Sequence, residues 1–384
     1  MTGVLDRFRA FARAELTGKS SYFDRLPDQP TAESARLHEA GLANWWIPAE
    51  RGGLGISLEE SIDIVSELSY ADAGFAFGSF LPILGTTMLQ LYGSEQLAKT
   101  YLGGLVQDGG VLGILGSEEA AGSELGRTAT TYRSVGGELV LNGEKYFSTN
   151  SDAAGLLLVL AASADDDGDY AVVAVPRDTP GVEIVKRWDM IGVRGSGTYQ
   201  VSLRDCAVPG ANRLRGNGLR NLEIGLNASR ILIAATAIGV ARRIRDLALD
   251  YAAAKQVKGA PLTDNAVFAA KLGQIEVAID VMRNQCRAAA AEFDGYMAEP
   301  DAAAVLTRVG TMRSALAAKI YCGRAGHEVG DVGSQLFGGL GYTHEHPIGK
   351  LVRDLRYVSI VEGGDDVLRD LIYTRFVLPP AKRR

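Results

Sequence analysis

The sequence is poor in cysteine and histidine, which make up three and four of its 384 residues. Cys206, Cys286 and Cys322 are odd in number, far apart and without CxxC spacing, so neither a disulfide framework nor a zinc site is indicated. His344-Glu345-His346 offers two histidines with no third ligand nearby, and Pro347 follows directly. Such spacing is more typical of a polar loop than of a metal centre. We therefore predict that no metal is bound.

Excess positive charge and long apolar runs are also missing. The formal net charge is -6, whereas a nucleic-acid or anionic-membrane partner requires a concentrated basic face. No uninterrupted apolar run reaches the roughly 18 residues of a membrane span. Near the N-terminus, Asp6 and Glu15 interrupt the arginines, and no apolar h-region follows, as a signal peptide would require. These absences predict a cytoplasmic protein with no nucleic-acid and no membrane partner.

What the chain does contain is a change of periodicity from helix to strand and back to helix. Apolar residues in section 1–110 recur at helical spacing, with glycine and proline at the breaks. Section 111–215 is rich in strand-forming runs, and section 216–384 has long stretches of helical period. Three domains with these boundaries are therefore predicted: helical, β and helical. No GxGxxG motif follows a strand, so a Rossmann dinucleotide site is not supported.

Particular elements can be predicted within these sections. Residues 139–147 place Asn142-Gly143 between strand-forming residues, a pattern typical of a two-residue β-hairpin. Residues 155–161 form an apolar run that indicates a further strand. Long helices are predicted over 231–255 and 267–292, because both stretches are rich in alanine, leucine and arginine.

The most informative stretch lies near the C-terminus. It reads QLFGGLGY over residues 335–342, continues through Arg353-Asp354, and places Glu362 between an apolar pair and two glycines. A carboxylate in a glycine-flanked turn after an apolar run is placed to act as a base rather than to be solvated. The alternative is that Glu362 begins a helix over 365–375, because acidic residues favour helix N-termini. From the residues alone, both interpretations stay open.

This order of motifs resembles the C-terminal signature of the acyl-CoA dehydrogenase family, flavoenzymes that introduce α,β double bonds into acyl thioesters. Three more blocks are similar to family motifs and occur in the same order. They are the loop 117–124 (TEPxxGSD in the family), the strand 145–150 (K-x-W-I-T-N) and the long central helix 230–255. The resemblance covers nearly the whole chain. It implies an α+β multidomain fold with an N-terminal helical domain, a middle β-barrel-like domain and a C-terminal four-helix bundle.

The resemblance implies that FAD binds between the β-domain and the C-terminal bundle. A flavin that takes up hydride needs hydrogen-bond donors along its pyrimidine edge and at N5, and the hydroxyls of Ser117 and Thr149 match the family's two donors. Phe147 stands where the family usually has tryptophan against the isoalloxazine. The implied cofactor-binding residues are Leu115, Ser117, Phe147, Ser148, Thr149, Lys255, Gln335, Gly338, Gly339, Gly364 and Asp366. A homo-oligomer, either tetramer or dimer, is also implied, in which a neighbouring subunit helps to hold the adenine end.

For the substrate, the resemblance implies contacts from Ser123, Asn227, Arg230 and Gly363. Arg230 is a charge on an otherwise apolar helix, so it needs a partner or a ligand. An anionic ligand and a buried ion pair both remain open for it. In some family members the catalytic carboxylate comes from the position just before this arginine. This chain has Ser229 there, and a serine cannot serve as that base.

The chemistry implied is FAD-dependent dehydrogenation of an acyl thioester of CoA or of an acyl-carrier protein. Glu362 removes the α-proton and the β-hydrogen leaves as hydride to flavin N5, while the Glu362 N–H and a flavin ribityl hydroxyl bind the thioester carbonyl. Desolvation is expected to raise the pKa of Glu362 toward its working range. An electron acceptor such as an electron-transfer flavoprotein is implied as a further partner.

Several positions depart from the family's pattern. Lys255 and Lys258 replace the arginine and phenylalanine of YxxxRxxFG, Glu119 replaces the loop proline, and Gly364 replaces a threonine. Lysine lacks the planar fork with which arginine grips a pyrophosphate. These departures motivate the hypothesis of a carrier-protein substrate or of γ,δ desaturation. The alternatives to an acyl-thioester dehydrogenase are a flavin monooxygenase or nitroalkane-type oxidase of the same fold and, in another class, a non-enzymatic scaffold without cofactor. The retained Glu362 favours dehydrogenation.

Overall fold

The structure is a computed structural model that describes residues 2–382, and its elements follow the order helix, sheet, helix. The helices are α1 (Thr2–Phe11), α2 (Ser20–Arg25), α3 (Thr31–Glu39), α4 (Leu58–Ala71), α5 (Ala73–Phe80), α6 (Pro82–Tyr92), α7 (Glu95–Asp108), α8 (Gly218–Ala254), α9 (Ala266–Met297), α10 (Ala302–Val309), α11 (Arg313–Leu336), α12 (Ile348–Arg356) and α13 (Asp365–Ile372). The strands are β1 (Val111–Leu115), β2 (Thr131–Val135), β3 (Glu138–Thr149), β4 (Ala154–Ser163), β5 (Tyr170–Pro176), β6 (Val182–Arg187), β7 (Thr198–Pro209), β8 (Gln256–Val257) and β9 (Ala260–Pro261). The predicted α+β fold class is confirmed.

The N-terminal helices begin and end where the sequence supplies caps. α4 begins with a capping box, in which the Ser57 hydroxyl accepts from the Glu60 N–H and the Glu60 carboxylate accepts from the Ser57 N–H. α7 begins after Ser94, whose hydroxyl accepts from the Leu97 N–H. It ends at Gly109, whose φ of 65° is the left-handed conformation that closes many helices.

The N-terminal helices and the C-terminal bundle share one hydrophobic core. α4 packs along α8 and α9. Ile62, Val65 and Leu68 on the inner face of α4 are buried in the same cluster as Ile231 and Ile238 of α8. Residues three or four positions apart lie on one side of a helix, so this spacing gives α4 a continuous apolar stripe. The two helical sections therefore form one packed unit, although the sheet separates them in sequence.

The middle section is a seven-stranded mixed sheet with the order β1-β4-β2-β3-β7-β6, in which β5 also pairs with β4. β1 and β4 are parallel, whereas β3 and β7 are antiparallel. Along β4, Leu157 and Val159 pack in the sheet's own core, while Leu158 and Leu160 pack in the cluster formed with α6 and α7. Successive side chains of a strand point to opposite faces, so β4 is apolar on both sides because both faces are covered.

The predicted hairpin at Asn142-Gly143 is wrong. β3 continues through both residues, and the turn between β2 and β3 is made by Gly136 and Gly137, with φ of 61° and 90°. At Gly143 the pairing of β3 with β7 shifts register, which is a β-bulge. A Cβ on Gly143 would lie 2.3 Å from the Thr130 hydroxyl. Close approach of a neighbouring segment therefore explains the glycine.

The central helix α8 is longer than predicted. It spans 37 residues and begins at Gly218 rather than at 231. The side chain of Asn217 caps its first turn by accepting from the N–H groups of Leu219 and Arg220. The polar residues of these first turns interrupt the apolar pattern in the sequence, but they are paired in the structure, as Arg220 is with Glu223. The missed start thus reflects polar contacts that sequence periodicity does not show.

Two segments of the described chain are long and apolar enough by composition to cross a membrane, although neither is an uninterrupted apolar run. They are residues 73–92, covering α5 and α6, with mean hydropathy 1.3, and α8 with mean hydropathy 1.6. The protein itself buries 83% of the first window and 100% of the second. Packing against other helices therefore accounts for their composition.

The Arg353-Asp354 pair of the C-terminal motif connects all three sections. Asp354 on α12 accepts from the Val193 N–H at 2.7 Å, in the loop between β6 and β7. It also pairs with Lys350, which lies 2.8 Å from Asp72 at the start of α5. Asp354 and Asp72 are buried, so Lys350 is the cation that compensates both carboxylates. This network fixes the β6–β7 loop between the two helical sections.

Candidate active site

Glu362 lies in a turn between the short 3₁₀ helix Tyr357–Ser359 and α13. Its φ is 53° and that of Gly363 is 97°, so two consecutive residues are left-handed. For a glutamate this conformation is unfavourable by roughly 1–2 kcal/mol. The Glu362 carbonyl accepts from Arg230 Nε and Nη2 at 3.0 and 2.9 Å, and the Gly363 carbonyl accepts from Lys319 Nζ at 2.8 Å. Two cations on different helices therefore hold consecutive carbonyls of the turn.

The carboxylate of Glu362 faces helix α8. Its Oε2 accepts a hydrogen bond of 2.7 Å from the Ser229 hydroxyl, whereas Oε1 is buried with no partner among the described residues. Burial raises the pKa of Glu362 to about 7, against the Ser229 hydrogen bond and the charges of Arg230 and Lys319, which lower it. A carboxyl that titrates near neutrality and keeps one oxygen free is suited to proton transfer.

The alternative role of Glu362 as a helix cap is not supported. The N-cap of α13 is Gly364, and no side-chain capping hydrogen bond is found at this helix start within residues 2–382. The Glu362 carboxylate points instead to α8, as described above. Its own N–H has no hydrogen-bond partner within residues 2–382. Glu362 therefore offers an unpaired main-chain donor and an unpaired carboxylate oxygen.

Arg230 is buried and binds the turn through the Glu362 carbonyl. Its Nη1 is buried with no partner in the described part of the chain. Burial lowers the pKa of Arg230, while the charges of Glu362 and Glu223 act in the opposite direction. The partner of this guanidinium is thus a carbonyl oxygen, and one of its nitrogens stays free for a substrate contact, which remains a prediction.

The predicted substrate contact of Asn227 is not supported. The residue is fully buried, its Nδ2 donates to the Gly310 carbonyl at 2.8 Å, and its Oδ1 accepts from the Met312 N–H at 2.9 Å. Both ends of the amide tie α8 to the segment before α11. A polar residue on an apolar helix satisfies itself with main-chain groups as readily as with a ligand, and sequence cannot separate the two. Ser123, in contrast, is exposed on its loop.

The loop 117–124 is anchored to β3 by a buried ion pair. Lys145 has no exposed surface and donates to Glu118 at 2.8 Å and to the Gly116 carbonyl at 3.1 Å. Burial raises the pKa of Glu118, but the Lys145 charge and several hydrogen bonds outweigh it and hold the value at about 2. Burial lowers the pKa of Lys145 to about 8. The Tyr146 N–H donates to the Ser117 carbonyl at 2.8 Å, which places Ser117 beside β3.

The following residues of β3 present an aromatic ring and hydroxyl groups. Phe147 has a φ of 51°, is 54% exposed, and lies against Trp188 with ring centroids 4.8 Å apart. The hydroxyls of Thr149 and Thr198 are 3.0 Å apart. The Ser148 hydroxyl is buried and has no partner among the described residues. An exposed aromatic face is a surface on which a flat ring can stack.

The other predicted cofactor residues are dispersed. Lys255, Gln335, Gly338, Gly339 and Asp366 are all exposed. Gln335 accepts from Lys271 at 2.7 Å and donates to Asp331, so its amide already has partners. Leu115 is fully buried, which leaves only its main chain for a ligand. Gly364 stands at the start of α13, close in sequence to Glu362.

Two further features lie apart from this site. His346 packs on Phe337, with ring centroids 4.1 Å apart, and its Nδ1 accepts from the Ile348 N–H. No group of three potential metal ligands occurs in the part of the chain that the structure describes. A cavity of about 280 Å³ lies between the N-terminal helices and the end of β3, lined in part by His38 and Asn150. Glu362 is not among its lining residues, so it is separate from the site.

Sequence reasoning missed Lys319 and Trp188. Lys319 lies on the apolar face of α11, between Ala315 and Cys322. A lysine on an apolar helix face is rarely fully buried unless it is paired. The position of Lys319 among small apolar residues could therefore have indicated a buried lysine with a partner. Trp188 follows β6 without a motif, and only the sheet brings it against Phe147.

The helix–sheet–helix fold, the buried carboxyl in a glycine turn and the exposed aromatic ring on β3 are features that the resemblance to a flavin oxidoreductase family predicts. Family models match almost the entire chain: the acyl-CoA dehydrogenase N-terminal domain over residues 3–109, the middle domain over 113–206 and the C-terminal domain over 216–377. The chain belongs to the acyl-CoA dehydrogenase family, as predicted from its motifs.

Individual relatives agree with this assignment. The chain is 31% identical over 378 residues to the probable acyl-CoA dehydrogenase YngJ of Bacillus subtilis, covering 96% of each protein. It is 30% identical over 373 residues to acryloyl-CoA reductase (NADH) of Anaerotignum propionicum, covering 95% of this chain and 91% of that protein. Among solved structures, butyryl-CoA dehydrogenase from Megasphaera elsdenii superposes with a TM-score of 0.90 at 24% identity, over 98% of both chains.

Family membership confirms the predicted enzyme class, a flavin oxidoreductase acting on CH–CH donors, and FAD as the predicted cofactor. The residues of this chain fit that cofactor. Phe147 offers an exposed ring, and the Ser148 hydroxyl next to it on β3 is buried with no partner among the described residues. The surface therefore supplies a stacking face and donors of the kind that a flavin needs.

Proposed function

We propose that this protein catalyses FAD-dependent dehydrogenation of an acyl thioester, with Glu362 as the base that removes the α-proton. The observation that carries the proposal is the surroundings of Glu362. Its carboxyl has a pKa of about 7, its Oε1 is buried without a partner among the described residues, and its N–H is unpaired there too. Removal of a proton next to a carbonyl requires both a base and a donor to the carbonyl oxygen, and one residue supplies both.

Each residue of the site has a role in this proposal. The Glu362 N–H donates to the thioester carbonyl and acidifies the α-proton, because it stabilises enolate-like charge. The ionised carboxylate accepts that proton at Oε1, while Ser229 holds Oε2 and orients the carboxyl plane. FAD, when bound, would supply the two-electron oxidant that removal of the β-hydrogen requires. Ser117, Phe147 and Thr149 would hold the flavin ring.

The partners follow from the same proposal. Two relatives at 30% identity or more are named for acyl-CoA and acryloyl-CoA chemistry, which supports a CoA thioester. Glu119 and Glu124, which replace the proline and the aspartate of the family's TEPxxGSD loop, keep a thioester of an acyl-carrier protein as the alternative substrate. We further propose a homo-oligomer, an electron-transfer flavoprotein as electron acceptor, and a cytoplasmic location.

Anaerobic titration of the FAD-loaded protein with acyl-CoA thioesters of graded length tests the proposal. We expect the absorbance of the oxidised flavin to be lost on addition of a suitable thioester, without any other reductant. Glu362→Gln removes the base but keeps the size of the side chain, so it should stay yellow and bleach at least about 1000-fold more slowly, a range typical of a lost catalytic base. Glu345→Gln, an exposed control, should bleach like the wild type. Wild-type bleaching by Glu362→Gln would remove Glu362 from this role.

The alternatives give different outcomes in the same measurement. If only acyl-carrier-protein thioesters bleach the flavin, the substrate carries its acyl group on a carrier protein rather than on CoA. Failure of every thioester to bleach the flavin, together with oxygen-dependent turnover of a non-thioester substrate, identifies an oxygenase or oxidase. A purified protein that stays colourless when FAD is added identifies a scaffold.

A further inference from the structure

We propose that Lys319 is a positioning residue for Glu362: its ammonium group holds the Gly363 carbonyl, and thereby the left-handed turn, while its charge favours the ionised carboxylate. This inference rests on the proposed role of Glu362 as base. Lys319 acts through Glu362 and Gly363 and has no predicted contact with substrate or flavin.

The geometry begins with the packing of α11 against the turn. Gly323, one helical turn after Lys319, has no room for a side chain, because a Cβ there would lie 2.5 Å from the Ser359 hydroxyl. This close approach brings the fully buried Lys319 within 2.8 Å of the Gly363 carbonyl. Among the described residues, the Gly363 carbonyl is the one hydrogen-bond partner of Lys319 Nζ, although an ammonium has three donors. Its position is therefore set by the turn it contacts.

The turn depends on charged donors from two sides. Arg230 binds the Glu362 carbonyl from α8, and Lys319 binds the next carbonyl from α11. The two cations therefore fix the peptide units on both sides of the Gly363 Cα, next to Glu362, and loss of either one releases a turn that is unfavourable by itself.

The charges that face Lys319 come from every element around it. Arg230 on α8 repels its positive charge, while Glu362 in the turn and Asp365 at the start of α13 attract it. Burial, together with Arg230, lowers the pKa of Lys319 to about 8, so the ammonium form dominates at pH 7. Arg230 in turn faces Glu223 on α8. The charge of Lys319 therefore lowers the pKa of Glu362 and counteracts part of the rise that burial causes.

Two substitutions separate the charge of Lys319 from its size. Lys319→Met keeps the length of the side chain and removes both charge and donor, whereas Lys319→Arg keeps a permanent cation. The readout is the protonation of Glu362 itself, followed by infrared difference spectroscopy of the carboxyl band against pH, with Glu362→Gln to assign the band. Arg324→Met removes an exposed cation from the same helix and serves as the matched control. Thermal unfolding and FAD retention report whether each variant is folded.

We expect Lys319→Met to raise the midpoint of the Glu362 titration by about one pH unit or more, the size of effect that a nearby opposite charge exerts. Lys319→Arg and Arg324→Met should keep the wild-type midpoint. A wild-type midpoint in Lys319→Met overturns the proposal. If that variant does not fold, Lys319→Gln, which also lacks the charge, decides between the same two outcomes.

The kinetic arm distinguishes this inference from the proposed function. In single-turnover flavin reduction, Lys319→Met should lose about tenfold in rate even at a pH where Glu362 is fully ionised, because the turn that positions Glu362 is no longer held at the Gly363 carbonyl. Absence of any wild-type reduction by thioesters contradicts the proposed function, while the infrared titration still decides the role of Lys319. Wild-type reduction with an unaltered Lys319→Met profile contradicts the role of Lys319 alone.

Discussion

The hydroxyl of Ser229 donates a 2.7 Å hydrogen bond to Oε2 of Glu362, across 133 positions of sequence. The resemblance to the acyl-CoA dehydrogenase family implies that some members carry their catalytic carboxylate at the position of Ser229. Here the two positions are in direct contact. A carboxylate at either place would therefore occupy the same part of the site, which explains how both arrangements are compatible with one fold.

Replacing Ser229 with alanine should raise the pKa of Glu362. The Ser229 hydrogen bond stabilises the ionised carboxylate, and a hydrogen bond to a charged group contributes about 1.5–3 kcal/mol. The midpoint of flavin reduction against pH should accordingly move up by about one unit. Ser229→Thr keeps the hydroxyl and is the control. An unchanged midpoint in Ser229→Ala would show that this hydrogen bond does not tune the base.

The wild-type rate of flavin reduction should rise with pH and level off above about pH 7. The pKa of Glu362 is raised from 4.5 to about 7, so the carboxyl is protonated below that pH and cannot accept the α-proton. Each unit of pH below the midpoint should lower the rate about tenfold. Single-turnover reduction over pH 5 to 9, roughly the range in which such a group titrates, measures this limb. A midpoint near 4.5, the ordinary value, would mean that the Glu362 carboxyl is not desolvated in solution.

Substitution of Asn227 by alanine should lower stability and leave substrate affinity unchanged. Its amide satisfies the Gly310 carbonyl and the Met312 N–H inside the protein, so the variant leaves two buried main-chain groups unpaired. The expected loss is about 2–4 kcal/mol in the free energy of unfolding. Asn284→Ala, at an exposed position of α9, should change it by less than about 0.5 kcal/mol. A rise in KM at normal stability would restore the substrate role.

Removal of the Lys145 ammonium should unfold the loop 117–124 before the rest of the protein. Lys145→Met leaves Glu118 as a buried carboxylate without its cation, which is expected to cost about 3–5 kcal/mol. Chemical denaturation and FAD retention measure the effect, with the exposed Arg133→Met on β2 as control. Glu118→Gln in addition should recover part of the loss, because it removes the uncompensated charge. Equal stability of Lys145→Met and wild type would contradict the proposed anchoring.

The same ion pair predicts how wild-type stability depends on acid. The pKa of Glu118 is lowered from 4.5 to about 2 in the folded protein, so the unfolded chain binds the proton more readily. Its contribution is therefore complete above about pH 4.5 and is lost as the pH falls toward 2. Glu118→Gln should remove this part of the pH dependence of unfolding.

The sequence specified the local chemistry where a few adjacent residues are enough. The glycines around Glu362 permit a turn with two left-handed residues, and the order of four short motifs indicated the family, the helix–sheet–helix organisation and the cofactor. A strand over 155–161 was predicted from its apolar run, which needs no distant information, and the structure extends it to Ala154–Ser163. Helix α8 was predicted in its alanine-rich part, and its polar first turns were missed.

Contacts between distant segments decided the rest. Asn142-Gly143 has the local pattern of a hairpin, but Thr130 and β7 draw it into a continuous strand with a bulge. Asn227 and Arg230 are polar residues on one helix, and only packing shows that the first binds the main chain of Gly310 and Met312 and the second binds the turn at Glu362.

By itself, the sequence determined which residue carries the acid group and that its backbone is free to turn, because both are properties of Glu362 and its immediate neighbours. Only the tertiary structure decided the pKa of the Glu362 carboxyl and the direction in which this group points. These depend on Ser229, Arg230 and Lys319, which come from two helices and reach the turn only when the bundle is packed. Electrostatic interaction depends on distance in space, and sequence separation carries no information about it.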